Sequence, residues 1–588
     1  MRGCARCTSG STRVPKRRIV RNTSIAAALA VGLAAAITGA LLPPRAVASS
    51  PPTWHYAWPV VRGAYHVHST KSDGTGSLDE IAQAAAHAGL QFIILTDHGD
   101  GTRRPEPPSY RAGVLCMDAV EVSTQYGHYV AIGLPQMPFR LAGHPRDVIE
   151  DVHRFGGFGI AAHPASAKAM LRWDDWDAPF DGLEWLNADS EWRDEFWTSM
   201  GRALLTYAFR PTETLASLLD RPASVLAQWD RLSRQRHVIG LAGSDAHARL
   251  GFRYTAEPYD TNDRFFVRLP SYETSFRTFS NHVVLDGPLT GDAAFDASKL
   301  LGAIRKGRLF TSIDGLAALG AFEVKAVSGS RFARAGEYID SPEAVQLEAD
   351  IAAPEGTRLV VFRDGVSIYD TGSSKLRVDL GTEPGAYRVE AHLPDSLHLP
   401  SVPWLVANPI YVNLASTHAR AVVPPALPQG DVRIPVATQS WHSESDGRSS
   451  SVLSAGSLPD GTRALQWRLR LAKGPAFSQF AAIGFPVDRG VQNDWLQLRG
   501  MSNRPMRFWA QLRAPAVRGG ERWAKSIFLG PTLSTVDLRL ADFRPIGATS
   551  SEHPAFDRIE SLLLVVDTLN TLPGTDATIS IADLWLVR

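Results

Sequence analysis

Six histidines and three acids in this sequence have types and spacings suited to metal chemistry. His66 and His68 stand at i and i+2 of an extended run, so both imidazoles project to one side and can share an ion. Asp73 follows in the next loop. A second apolar run closes with Leu95-Thr96-Asp97-His98, a third leads to Glu121, a fourth opens near His128, and a fifth closes with His163-Pro164. The last closes with Ser244-Asp245-Ala246-His247, where Asp245 and His247 repeat the i, i+2 spacing. Imidazole mixed with carboxylate and free of thiolate suits zinc, manganese or iron, and differs from the cysteine-rich set of a closed structural zinc site. Burying so many polar groups at one rim would be costly unless cations satisfied them.

The elements that must position these groups are legible as alternating patterns. Short apolar runs at 60–65, 92–95, 114–122, 129–134, 159–162, 183–186 and 238–242 alternate with helical stretches, the signature of βα units around a parallel sheet. Several lack polar alternation, as strands covered on both faces must. Ser77 and Glu80 predict a capping box before a helix at 81–88 that Gly89 stops; 147–155 predicts another, stopped by Gly156-Gly157. Seven strands predict a closed or nearly closed α/β barrel over 54–320, with the candidate ligands at the carboxyl ends of its strands. Residues 192–236 read as a helical insertion. From 321 the period changes to two, predicting a β-sandwich over 321–416, a Pro-rich linker over 417–432 and a second, larger sandwich over 433–588.

With 588 residues, 44% hydrophobic and 21% charged, the chain is neither disordered nor collagen-like nor all-membrane, and its length predicts several domains. Residues 1–48 hold eight basic side chains and no acids; without them 53 basic face 60 acidic side chains, a net charge of −7. A body of that sign lacks the basic footprint of a protein whose main partner is nucleic acid. Basic residues up to Arg21, an uncharged stretch at 25–42 and Ala46-Val47-Ala48 predict a secretory signal peptide or a membrane anchor over 1–48. Either places the remainder outside the cytoplasm, in periplasm, cell surface or medium, with membrane contact only through that segment if it is uncleaved. Cys116 lies in an apolar run and predicts a buried thiol, with no disulfide. His87, His144, His153 and His237 lie on or beside helices and strands where surface or capping roles are expected.

The ordered set His66-Val67-His68-Ser69, Ser72-Asp73-Gly74, Thr96-Asp97-His98, Glu121, Gly127-His128, Ala162-His163-Pro164 and Ser244-Asp245-Ala246-His247 resembles the motifs of the PHP (polymerase and histidinol phosphatase) superfamily. The resemblance spans about 60–320. It implies a distorted (β/α)7 barrel, here followed by two all-β sandwich domains, and two or three divalent metal ions. By resemblance His66, His68, Glu121 and Asp245 hold the first ion, Glu121 bridges to a second held by His128 and His163, and Asp73, His98 and His247 hold a third. Asp97 would orient His98 or a neighbouring ligand. Charge then predicts a site that prefers phosphate, hydrolysed by a water activated between ions. Lys71, Arg103, Arg104 and Arg249 are the expected phosphate contacts, with Arg193 and Asn187 as further rim candidates. The segment 385–411 resembles a small immunoglobulin-like module, and the carboxyl-terminal sandwich resembles galactose-binding-like jelly rolls, with Trp441 and Trp509 as candidate exposed aromatics for glycan contact. The expected function is an exported phosphoesterase acting on a phosphorylated small molecule or envelope polymer. The alternatives are an envelope or glycan-binding protein with structural metals, and an amidohydrolase-like enzyme acting on a C–N bond.

Overall fold

The computed structural model describes residues 41–587 except 53, 55, 194–196, 252–265, 398, 416–431, 475–478, 488–493 and 516–519. Its first sheet begins with β1 (Val60–Val67), β2 (Phe92–Leu95), β3 (Ser109–Arg111) and β4 (Val114–Asp118); β1, β2 and β4 are parallel, and β3 folds back on β4. A second sheet holds β5 (Val120–Thr124), β6 (Gly127–Ile132), β7 (Phe158–Ala161), β8 (Gly182–Asn187) and β9 (Ile239–Gly243) in that order. Two seams join the sheets. Along one, Ser244 N donates to Tyr65 O at 2.9 Å, His68 N donates to Ala246 O at 3.0 Å, and Val67 bridges Ala246. Along the other, Ala119 N donates to Leu95 O at 2.8 Å, Gly99 N donates to Glu121 O at 3.0 Å, and His98 bridges Glu121. Both seams pass through candidate ligands.

Two features depart from an all-parallel expectation. The run expected at 114–122 divides at Ala119, where the chain passes from one sheet to the other. Strand β6 is antiparallel to both neighbours, β5 and β7. Only Gln125 and Tyr126 separate β5 from β6, and so short a link permits a hairpin but no crossover. Gly127 closes that hairpin at φ 103°, and a Cβ there would stand 2.7 Å from Arg172 O.

The helices follow their sequence signals. Leu78–His87 starts at the Ser77 capping box, with Ser77 N donating to Glu80 Oε2 at 2.7 Å and Glu80 N to Ser77 Oγ at 3.3 Å. Pro145–Arg154 starts two residues ahead of expectation because His144 is its N-cap, Nδ1 accepting from Arg146 N at 3.3 Å. His153 pairs with Asp181, and His237 bonds Gly336 O. Helices Trp197–Tyr207, Pro211–Ala216 and Ala223–Ser233 occupy the expected insertion at 192–236, and a further helix, Ala188–Arg193, starts four residues ahead of it.

At 320 the hydrogen-bonded sheet does not stop. Ser280–Val284 and Leu309–Ser312 extend it from β1, and Leu309–Ser312 pairs antiparallel with Leu405–Ala407 of the next module, leading on to Gly385–His392 and Ile410–Val412. A four-stranded sheet of Arg331–Arg334, Ala321–Ser328, Gln346–Ala352 and Lys375–Asp379 belongs to the same module. One apolar core runs from Val122 and Trp185 to Tyr387 and Trp404. Most of the expected linker lies outside the described residues.

The carboxyl-terminal sandwich has two six-stranded sheets around Trp467, Phe508 and Trp523. Trp441, expected to be exposed, is buried in that core because its indole donates to Pro435 O; Trp509 is half-buried. The sandwich docks on the helix Pro145–Arg154. Buried Arg507 donates to both oxygens of Asp151 at 2.6 and 2.8 Å and to Glu150 at 3.0 Å, while Phe528 packs on Phe139 and Phe155. Arg507→Ala strands the buried Asp151, while Asp147 keeps Lys525 at 3.4 Å, and denaturant unfolding is expected to show a loss of about 3–5 kcal/mol. Cys116 is buried, and burial pushes its thiol up to about 11. It is expected to react with a thiol reagent at pH 8 only after denaturant is added.

Candidate metal centre

The centre is assembled from the ends of β1, β2, β5, β6, β7 and β9. Three of its side chains stand on left-handed backbone, His66 at φ 64°, His163 at φ 29° and Asp245 at φ 45°. Such conformations cost roughly 1–3 kcal/mol each and persist where the surroundings over-determine them. Here the seam does so: Ser244 Oγ donates to the carbonyls of Tyr65 and His66, both at 2.9 Å, and Tyr272 Oη donates to His68 O at 2.8 Å.

All nine expected donors come together in four overlapping groups, and seven of them, all but the fully buried His66 and His68, line one cleft. His66 Nε2 lies 3.1 Å from His68 Nε2, 3.2 Å from Glu121 Oε2 and 3.4 Å from Asp245 Oδ1. His68 Nε2 lies 3.2 Å from Glu121 Oε2 and 3.3 Å from Asp245 Oδ1. The other oxygen, Glu121 Oε1, lies 2.7 Å from His128 Nδ1 and 2.9 Å from His163 Nε2. On the outer side Asp73 Oδ1 is 3.2 Å from His247 Nε2 and Asp73 Oδ2 is 3.7 Å from His98 Nε2, while His98 Nδ1 is 3.2 Å from Glu121 Oε2. The donors fit divalent ions. Zinc takes imidazole and carboxylate at about 2.0–2.2 Å, which sets the donors of a tetrahedron roughly 3.3–3.5 Å apart, close to the spacing of the first group.

Electrostatics agree with the geometry. Burial works against charge on His68, yet hydrogen bonds to Asp245 and Glu121 push it up to about 10. Burial likewise opposes ionisation of Glu121 and Asp245, but the facing imidazoles, His98 and His66 for the first and His66 and His68 for the second, hold both well below the ordinary carboxylate range. His128 moves the other way, lowered chiefly by burial. The metal-free cleft therefore stores protons on imidazoles that a cation must displace. Zinc titrated at pH 7 into weakly buffered protein is expected to release protons, measured as acidification, and to bind more weakly as pH falls.

Glu184 was not singled out by sequence reasoning. It sits in the middle of β8, in a run read only as an apolar strand, and it is fully buried. Its Oε1 is 2.5 Å from His66 Nδ1, while Oε2 accepts from His163 N at 2.6 Å and from Asn187 Nδ2 at 2.7 Å. It thereby leaves His66 Nε2 turned to the donor group. The available signal was an acid flanked by Leu183 and Trp185 in a strand covered on both faces. Asp97 accepts from Ser69 N at 2.8 Å, Ser69 Oγ at 2.7 Å and Ser72 Oγ at 2.6 Å, so it fixes the turn after His68.

The cleft encloses about 340 Å³. Arg249, Arg193 and Lys168 line it. Three other expected phosphate contacts do not: Lys71 is paired with Glu106 at 2.6 Å, Arg103 grips both oxygens of Asp118 at 2.9 and 3.0 Å, and Arg104 is exposed outside the lining. Glu106, from the loop after β2, holds Lys71, and Asp118, at the end of β4, holds Arg103. Asn187 supports the centre by bonding Glu184 and approaches Asp245 Oδ2 at 3.4 Å.

No family model and no curated protein matches the sequence. Among solved structures, the chain is similar to a two-domain protein containing a predicted PHP-like metal-dependent phosphoesterase from Bacteroides vulgatus, at 13% identity over 63% of this chain and 99% of that one, with a TM-score of 0.27. It is also similar to a family 11 carbohydrate-binding module from Clostridium thermocellum in complex with a mixed-linked tetrasaccharide, at 14% identity over 26% of this chain and 95% of that one, with a TM-score of 0.22. Glu184→Gln is expected to weaken metal binding about 10–100-fold with the fold intact, measured by calorimetric titration beside circular dichroism.

Proposed function

We propose that the protein is an exported metal-dependent phosphoesterase that hydrolyses a phosphomonoester or phosphodiester. The observation that carries this reading is the clustering of three carboxylates and six imidazoles in overlapping donor groups, seven of the nine lining one solvent-accessible cleft. We read the two joined sheets as a distorted seven-stranded barrel in which β4 continues as β5. His66, His68, Glu121 and Asp245 would hold one divalent ion, Glu121, His128 and His163 a second, and Asp73, His98 and His247 a third, the metals being zinc, manganese or iron. Bound there, such ions supply positive charge for a phosphoryl group and make water a nucleophile at neutral pH.

The chain's own residues do the rest. Glu184 and the seam hold His66 in one tautomer and direction, and Asp97 holds the turn that leads to Asp73. Lys168, Arg249 and Arg193, the last held through Nε by Asp189 at 2.5 Å, bring cationic donors to the cleft wall, where they would orient phosphate oxygens. Asp73, His98 and His247 have side chains 15, 20 and 21% exposed, so the outer group is open to substrate, unlike a closed structural metal site. The uncharged stretch at 25–42 supports an extracytoplasmic location.

The decisive experiment is metal content by mass spectrometry beside hydrolysis of bis- and mono-p-nitrophenyl phosphate. Two or more ions per chain are expected, with turnover lowered at least 1,000-fold by His66→Ala and by Asp245→Asn. Bound metal without turnover on either ester would favour a binding protein instead.

A further inference from the structure

The helical segment after β8 faces two ways. Inward, Trp192, Leu215, Leu218 and Leu219 line the cleft beside the candidate metal donors. Such side chains cannot bond a phosphate; they can cover the organic group attached to it. Outward, Leu204, Leu205 and Phe209 are 61, 62 and 65% exposed. Leu205 and Phe209 are one turn apart, and Phe209 N donates to Thr206 O at 3.0 Å, extending the helix Trp197–Tyr207 by a turn. Three neighbouring large apolar groups at one helix end form a surface that water does not favour.

The amino-terminal strap says what covers that surface. Arg202 Nε, on the same helix, donates to Leu41 O at 2.8 Å, and Arg210 donates to Pro43 O. Val47 N donates to Leu316 O and Val47 O accepts from Ala318 N, both at 2.9 Å, and Pro43 is buried. Ser49 Oγ also donates to Ala318 O, so residues 41–49 are bonded into the body on both sides of the cleavage point expected after Ala48. The uncharged stretch at 25–42 ends on the helix that bears the exposed apolar groups. Arg202 and Arg210 bond neutral carbonyls there, leaving positive charge beside the patch for anionic headgroups.

We propose that the surface formed by Leu204, Leu205 and Phe209 lies against a lipid bilayer, and that the cleft takes from that bilayer a phosphate ester whose organic group is apolar. The second part rests on the phosphoesterase reading. The strap keeps the patch at the surface, and the same short stretch of chain leads from Phe209 to Leu215 in the cleft wall.

Two measurements on the full-length chain test this. In a Cys4→Ser, Cys7→Ser background, a fluorescent label is placed at Leu205→Cys or, as control, at Val452→Cys on the carboxyl-terminal sandwich, Cys116 being shielded by burial. In phosphatidylcholine–phosphatidylglycerol vesicles, doxyl-labelled lipid is expected to quench the label at 205 by more than half and the label at 452 little; an unquenched label at 205 overturns the bilayer contact. Methyl-, ethyl-, propyl- and butylphosphonate are then titrated into the manganese-loaded chain. Affinity is expected to rise about fourfold per methylene, with Leu218→Asn flattening the series. Affinity independent of chain length, or no phosphonate binding, overturns the apolar ligand. Chain-length-dependent binding without hydrolysis of any ester supports this inference while defeating the phosphoesterase reading, and hydrolysis with a flat series does the reverse.

Discussion

A single carboxylate, that of Glu121, organises the centre. It is almost completely withdrawn from water, yet its two oxygens lie within 3.2 Å of imidazoles from five positions, His66, His68, His98, His128 and His163. A carboxylate in that position is stable only while positive charge surrounds it, whether from imidazolium or from metal. The constraint reaches the backbone as well. Glu121 N donates to Asp97 O, and the bridge between Glu121 and His98 is one of the two seams that join the sheets. The group that gathers the candidate ligands is thus also a group through which the sheets meet.

Three of the candidate ligands carry backbone strain. The left-handed turns at His66, His163 and Asp245 lie where β1, β7 and β9 end, and the hydrogen bonds that hold them come from neighbouring segments rather than from the strands themselves. The centre is therefore pre-shaped by the surrounding fold, and a cation meets donors already aimed inward.

Much of this was legible in sequence because strand ends and i, i+2 pairs are local signals. His66 with His68 and Asp245 with His247 announce themselves by spacing, and the Ser77–Glu80 cap by residue type. What was not legible is non-local. Glu184 is hidden by its apolar neighbours and acquires its part only when β1 arrives beside β8 and β9. The direction of β6 depends on two residues of turn, which a hydrophobicity pattern does not weigh. Arg103 and Lys71 looked like phosphate donors because nothing in their vicinity declared that Asp118 and Glu106 would hold them. The continuity of the sheet past 320 escaped because the change of period there is real; strands on both sides of it nonetheless share hydrogen bonds.

That shared sheet bears on how such a chain could be reshuffled over time. The pairing of Leu309–Ser312 with Leu405–Ala407 leaves no closed edge at 320, so a recombination joint placed there would expose unsatisfied backbone and part of a common core. The first two modules must be inherited as one block. The carboxyl-terminal sandwich, which is closed around its own core and attached by side chains such as Arg507 and Phe528, is the piece that evolution could exchange, at the cost of rebuilding only a docking surface.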